Sequence, residues 1–236
     1  MEYRIDQRGI VRSPDWERWE WLEHGFSTRQ TGDFGPFGIV GKAPALFGAP
    51  EMETVRLRQV HSDRVVAVVE SGGAPPEADA LVSDRPGLLL QVRTADCAPL
   101  LLVDPIRRAV SAVHAGWRGT VGGIAQHAVE RLCGEYGCRV EDLQALVGPC
   151  ISLERFEVGD EVAGRFSAEV VRRQTQWERP HVDLRAALKS QLVVAGLLPE
   201  KILAIELCTH ERADLFFSHR RTGEPGRMAA ALGIRH

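Results

Sequence analysis

Three short apolar runs in the middle of the chain, residues 88–92, 100–103 and 109–114, constrain the fold more than any other feature. They are rich in Leu, Val and Ala, too short for helices, and bounded by polar or turn residues, as strands buried on both faces are. Similar runs occur at 55–60 and 65–69, split around His61, and at 145–147 and 202–207. Between them the period changes. Val121, Ile124, Ala125, Ala128, Val129 and Leu132 fall on one face of a helix. Asp183 suits the N-cap of a second helix running to 194, which Gly196 and Pro199 would end. A third helix is expected over 160–171. Strands and helices mixed in this order predict an α/β or α+β domain, a mixed sheet with helices packed outside. The Gly/Pro-rich stretch 29–50 reads as a long loop and 71–77 as a second break, neither a domain boundary, so one domain over 1–236 is expected.

Composition excludes several classes. With 44% hydrophobic residues, 26% charged residues and a net charge of −3, the chain can bury a large core, and it lacks the basic surplus of a nucleic-acid binder. The tightest local basic group, Arg220, Arg221 and Arg227, could at most grip a small anion. The first residues carry charges where a signal peptide would be apolar, and no run approaches the roughly 18 apolar residues of a membrane helix. A cytoplasmic protein without membrane contact is therefore expected. The five cysteines, 97, 133, 138, 150 and 208, are odd in number and fit free thiols in a reducing compartment. Cys133 and Cys138 lack metal or redox spacing and read as inert helix-end residues.

Three segments place chemistry-bearing side chains at strand ends: Arg58-Gln-Val-His61-Ser, Ala95-Asp-Cys97-Ala-Pro and His114-Ala-Gly-Trp-Arg-Gly119. Strand ends are where such folds build sites, since the sheet holds them rigidly while loops give access. One His with Cys97 could be a nucleophile and its base. Two His with one Cys also form a zinc set, leaving a fourth position open. The separations of 36 and 17 residues match no short metal motif, and a lone strand-end His or Cys is more often structural. Arg118, in a Gly-flanked strand-to-helix turn, is a candidate for an oxyanion, although the turn lacks the Gly-Lys-Ser/Thr of a nucleotide loop. Cys150, in Gly148-Pro-Cys-Ile-Ser152, ends another strand and reads as structural before functional.

These segments, together with His24-Gly-Phe-Ser-Thr-Arg29, Ala78-Asp-Ala80, Thr94-Ala-Asp-Cys-Ala-Pro99, Phe156-Glu-Val-Gly159, Cys208-Thr209 and Phe216-Phe-Ser-His-Arg-Arg-Thr-Gly, resemble the YfiH or laccase-domain family in order along nearly the whole chain. The family is also called multicopper polyphenol oxidoreductase or purine nucleoside phosphorylase. The resemblance implies a mixed β-sheet sandwich, distantly like the catalytic domain of cytotoxic necrotizing factor toxins, and a zinc site on His61, Cys97 and His114. It implies phosphorolysis of adenosine, inosine, guanosine and methylthioadenosine, with some adenosine deamination; the partners would be a small nucleoside and phosphate. Arg29 and Arg118 are the candidates for phosphate or substrate contacts, and Asp96 for proton handling or support of a ligand. Some bacterial members resemble peptidoglycan editing factors, which keeps open an amidohydrolase with Cys97 as nucleophile and His114 as base. The segment after Arg29 departs from the family's Gly-Gly-Val-Ser pattern and is expected to edge the pocket. A multicopper cluster needs many histidines, usually in His-x-His pairs. The eight here include no such pair, so oxidase activity, with copper taking a His/Cys site in vitro, would be adventitious.

Overall fold

The computed structural model describes residues 3–35, 38 and 42–236. In chain order the strands are β1 (Arg4–Ile5), β2 (Ile10–Arg12), β3 (Leu22–Ser27), β4 (Glu53–Arg56), β5 (Val65–Ala67), β6 (Ala80–Ser83), β7 (Leu88–Thr94), β8 (Ala98–Asp104), β9 (Ala109–Ala115), β10 (Gln144–Val147), β11 (Val171–Arg172), β12 (His181–Val182), β13 (Ile202–Ala204) and β14 (Met228–Ile234). The helices are α1 (Pro14–Glu17), α2 (Ala43–Phe47), α3 (Trp117–Val121), α4 (Ile124–Tyr136), α5 (Asp160–Ala163), α6 (Leu184–Val194) and α7 (His219–Thr222). Twelve of the strands form two six-stranded mixed sheets, ordered β1-β2-β3-β14-β7-β4 and β13-β10-β8-β9-β6-β5. A small β11–β12 pair lies apart.

The sheets face each other, and side chains alternating along their central strands build the layers. From β8, Leu101 and Val103 point to the first sheet, meeting Leu90 and Val92 of β7 and Leu232 of β14. Leu100 and Leu102 point the other way, under Ile124, Ala128 and Leu132 of α4 and Leu188 and Leu192 of α6. Each of these leucines is fully buried, worth about 1.5–3 kcal/mol relative to exposure. A third cluster around Phe34, Phe47, Leu89 and Ala231 covers the outer face of the first sheet. The layering is thus helices, sheet, sheet, with a thinner cover outside, a mixed α+β sandwich as expected.

Several elements differ from the sequence expectation. The helix expected over 121–132 is two pieces, because Gly122 and Gly123 separate α3 from α4 and Gly123 takes a left-handed φ of 84°. Of the helix expected over 160–171 only α5 forms; the chain turns at Gly164 and ends in β11. Asp183 does cap α6, its Oδ1 accepting the Ala186 amide at 3.0 Å. Strands β1, β2, β3, β6, β11, β12 and β14 were not anticipated. β14, Met-Ala-Ala-Ala-Leu-Gly-Ile, has low strand propensity, but it lies between β3 and β7 with all seven residues buried, where the sheet decides. The expected loop 29–50 contains α2; residues 36, 37 and 39–41 of it lie outside the described residues.

Candidate active site

Both histidines of the donor set depend on one carboxylate. His61 follows β4 in a loop and adopts a left-handed φ of 59°, uncommon for a non-glycine residue. Asp79, fully buried just before β6, accounts for it. Its Oδ1 accepts the His61 amide at 3.1 Å, and its Oδ2 accepts the amides of Val60 at 3.2 Å and Ser62 at 2.6 Å. The Ser62 hydroxyl adds a bond at 2.8 Å. Asp79 Oδ1 also lies 2.8 Å from His114 Nδ1 on β9. Burial alone would push this carboxyl up; the bonds from His114 and Ser62 outweigh it and hold the group at about 2. An ionised Asp79 fixes the proton of His114 on Nδ1 and leaves Nε2 for the donor cluster.

Cys97 sits in the turn that carries the chain from β7 in the first sheet to β8 in the second. The β8–β9 register places Pro99 opposite His114 and Ala98 opposite Ala115, which brings the thiol beside the imidazole. The donor atoms of His61, Cys97 and His114 all lie within 4.8 Å of one another, and the two imidazole rings meet edge to face with centroids 4.9 Å apart. Burial opposes charge on Cys97 and His114. The attraction between a thiolate and an imidazolium, with hydrogen bonds to Cys97 from both histidines and from His114 to Asp79, outweighs it, so the thiol is held below its ordinary range and His114 above.

The donors fit a metal ion. Two imidazole nitrogens and a thiolate suit zinc, whose tetrahedral geometry needs donor atoms roughly 3.5 Å apart, within about 1.5 Å of the widest separation here. Gly116 keeps the space between them open. A Cβ there would stand 3.2 Å from Cys97 Sγ, 3.2 Å from His61 Cδ2 and 3.7 Å from His114 Cε1. Among the described residues this is the one group of three His, Cys or acidic side chains with metal-binding spacing.

The donors open onto a cavity of about 350 Å³, whose walls also include Gln59, Arg93, His219 and Arg227. A larger cavity of about 530 Å³ lies elsewhere, against β1, β2 and β3. Most of its charges are matched internally, Arg12 with Asp6 and Glu23, Arg4 with Glu17, Arg235 with Glu23.

The structure gives the other sequence candidates different surroundings. Asp96, at φ 91°, accepts the Thr209 hydroxyl and the Arg220 amide, each at 2.7 Å, and so ties the Cys97 turn to α7 and its His219. Arg29 is not on the cavity wall: it pairs with Glu224 at 2.7 Å and lies over Phe217. Arg118 is exposed, over Trp117, and is not on the wall either. Arg220, Arg221 and Arg227 do not converge. Arg221 donates to the carbonyls of Thr209, His210 and Phe216, Arg220 to that of Glu157, and only Arg227 reaches the cavity. Cys150 is buried beside Arg185, with burial pushing its thiol up to about 11. The described part of the segment after Arg29, expected to edge the pocket, is not on the cavity wall; it meets a wall residue only through its backbone, Asp33 Oδ1 accepting the Arg227 amide at 2.8 Å. Sequence reasoning missed the roles of Asp79, Gln59 and Arg93. Asp79 stood in the Ala78-Asp-Ala80 segment, an acid interrupting apolar residues at a strand start. Nothing local marked the other two.

The chain is similar to known proteins in sequence and in fold. Residues 42–235 match the family described as "Multi-copper polyphenol oxidoreductase laccase". A protein of Deinococcus radiodurans named "Purine nucleoside phosphorylase" is 40% identical over 235 residues, covering 90% of this chain and 89% of that one. "Adenosine deaminase RL5", from an unknown prokaryotic organism, is 39% identical over 186 residues, covering 72% of this chain and 71% of its own. The crystal structure of YlmD from Geobacillus stearothermophilus superposes with a TM-score of 0.87 at 28% identity, covering 99% of each chain.

Proposed function

The chain belongs to the multi-copper polyphenol oxidoreductase laccase family, and from that premise we propose that it is a zinc-dependent purine nucleoside phosphorylase that also deaminates adenosine. Adenosine, inosine, guanosine and methylthioadenosine are the substrates, and phosphate is the second reactant. The observation that carries the reading is the His61–Cys97–His114 set opening onto a cavity of about 350 Å³, within the roughly 300–1,000 Å³ range of small-ligand pockets. The relatives' names supply the reaction class. The free state of all five cysteines suits a reducing cytosol. Among the described residues one histidine outside the donor set, His219, lines the same cavity, too few for the many imidazoles of a multicopper cluster; His24 accepts the Ser13 amide, His127 lies against the Asp63 carbonyl and His181 against that of Leu153, each at its own place in the fold.

In phosphorolysis an oxygen of hydrogen phosphate bonds to ribose C1′ as the C1′–N9 bond breaks. The electron pair leaves with the purine, on which the proton of the phosphate ends, giving free base and ribose 1-phosphate. The transition state is cation-like at the sugar, so the enzyme must align the anion and stabilise the departing base. A zinc ion held by His61, Cys97 and His114 would supply a Lewis acid beside the substrate. The chain's own part is orientation. Asp79 sets the tautomer of His114 and the loop of His61, Gly116 leaves the ligand space open, and Asp96 fixes the Cys97 turn against α7.

The test is adenine release from adenosine with and without phosphate, with metal analysis of the same protein. Phosphate-dependent release with ribose 1-phosphate as co-product is expected, together with about one zinc per chain and loss of turnover in Cys97→Ser but not Cys133→Ser. Equal release without phosphate would make the enzyme a hydrolase. A second reading has its own support: Cys97, His114 and Asp79 stand in the order nucleophile, base and orienting acid. It predicts a Cys-His amidohydrolase acting on a peptidoglycan precursor, active after metal removal and inactivated by alkylation of Cys97.

A further inference from the structure

Two arginines face the cavity without an acidic partner. Arg93 lies on β7 directly opposite Ala229 of β14. Arg227 is two residues before Ala229 and so on the same side of the sheet, a diagonal neighbour of Arg93. Their backbones are held by separate devices. Gln59 clamps Arg93, accepting its amide at 2.9 Å and donating to its carbonyl at 2.8 Å. Asp33 accepts the Arg227 amide, and Arg227 Nη1 donates to the carbonyls of Glu224 and Gly226 at 3.1 and 2.9 Å. Among the described residues neither guanidinium makes a salt bridge. The nearby Glu224 is taken by Arg29 and Arg221, and Asp33 Oδ1 by backbone amides.

Two half-buried cations side by side are costly unless something offsets them. Burial pushes Arg93 below its ordinary value, and the charges of Arg56 and Arg227 push it further. Arginine is rarely left so in a folded protein, because desolvated charge requires a counter-charge. Guanidinium forks match tetrahedral oxyanions in bidentate geometry. The cavity they share with His61, Cys97 and His114 places such an anion beside the reacting centre.

We propose that Arg93 and Arg227 form the oxyanion subsite of this centre and hold a phosphate dianion there, with Gln59 as the positioning residue that presents Arg93. The assignment deepens the phosphorolysis reading and rests on it for the identity of the anion as free phosphate rather than the phosphate group of a nucleotide.

The test uses Arg93→Gln, Arg227→Gln and, as a remote charge control, Arg131→Gln on the outer face of α4. Two readouts are taken. The first is thermal unfolding with no ligand, with inorganic phosphate, and with adenosine monophosphate. Inorganic phosphate is expected to raise the midpoint of the natural protein and of Arg131→Gln but of neither cavity variant. Without ligand Arg93→Gln should melt no lower than the natural protein, since one of two repelling charges is gone; a purely structural Arg93 would give the opposite sign. The second readout is phosphorolysis, where each cavity variant should raise the KM for phosphate about 10–100-fold, the worth of a charged hydrogen bond, while the KM for adenosine stays within a few-fold. If phosphate binding depends on both arginines but adenine release is independent of phosphate, the subsite stands and the phosphorolysis reading falls. If only adenosine monophosphate stabilises, through both arginines, the anion is a nucleotide's phosphate and the same reading falls. Phosphate binding and phosphate KM unchanged in both variants overturn the subsite.

Discussion

Replacing Asp79 by Asn tests the frame of the centre at one atom. The carboxylate accepts five bonds, from His114 Nδ1, from the amides of Val60, His61 and Ser62, and from the Ser62 hydroxyl. An amide of the same shape has one accepting oxygen and a donating NH₂. With NH₂ in the place of Oδ2, the partly buried amides of Val60 and Ser62 both lose their acceptor. With NH₂ in the place of Oδ1 only the His61 amide is orphaned, provided His114 shifts its proton to Nε2 and accepts on Nδ1. The second arrangement costs less, and it removes the lone pair that a metal would take. One orphaned amide costs about 1–3 kcal/mol, which for a domain of this size lowers the melting point by roughly 2–12 °C. Loss of the orienting carboxylate lowers metal affinity by about 10–100-fold. The measurements are thermal unfolding of metal-free Asp79→Asn and competition for zinc against a chelator. A variant that melts within a degree of the natural protein and holds zinc equally well would refute the reasoning.

Two further outcomes are expected. Gly116→Ala puts a methyl 3.2 Å from both Cys97 Sγ and His61 Cδ2; at its φ of −73° the backbone accepts alanine without strain, so metal affinity should fall at least tenfold while the metal-free melting point moves by only a few degrees, and unchanged affinity in a chelator competition would contradict the cradle. His24 is buried, and that burial, with the charge of Arg12, lowers its pKa to about 3; the unfolded imidazole binds its proton near pH 6.5 while the folded one does not, so stability is lost as pH falls below about 6.5 toward 3, roughly 2 kcal/mol of it by pH 5, and urea unfolding of His24→Gln over pH 7 to 4 should give a slope smaller by about one proton.

The donor set was legible because each member is a polar residue at the end of an apolar run, and strand ends are where a sheet presents side chains. Its support was less so. Asp79 is an ordinary acid in sequence, and its worth comes from meeting two loops at once: residues 60–62 on one side and β9 on the other. The arginines were misleading for the same reason. Arg29 reads as a free cation until folding brings Glu224 to it, 195 residues away, whereas Arg93 reads as one more charge in the loop after a strand until β14 pairs with β7 and brings Arg227 alongside. Two of the strands missed have a local composition that opposes their place. β14 is alanine-rich, and β3 carries Glu23 and His24, both buried, with Glu23 matched by Arg12 and Arg235. Gly122 and Gly123 carried a usable signal, a break inside an otherwise regular helical period.

The division of the site between the two sheets explains why its parts lie so far apart along the chain. His114 lies on the β8–β9 hairpin of the second sheet, a local structure with little loop to close, and Cys97 in the turn just before β8 that joins the hairpin to β7. Arg93 and Arg227 belong to the first sheet and become neighbours only when β14 inserts between β3 and β7. The same segment before β14 carries His219, which Asp96 holds through the Arg220 amide from the turn of Cys97 itself. The donor cluster can therefore approach its geometry from β6, β8, β9 and the His61 loop alone, whereas the cationic wall requires the first sheet to be complete. Metal binding and anion binding should accordingly respond to different parts of the molecule. Substitutions in the β14 pairing act on the wall, substitutions around Asp79 act on the donors, and Asp96 and Gln59 are the side chains described here that bridge the two, Gln59 from the His61 loop to the backbone of Arg93.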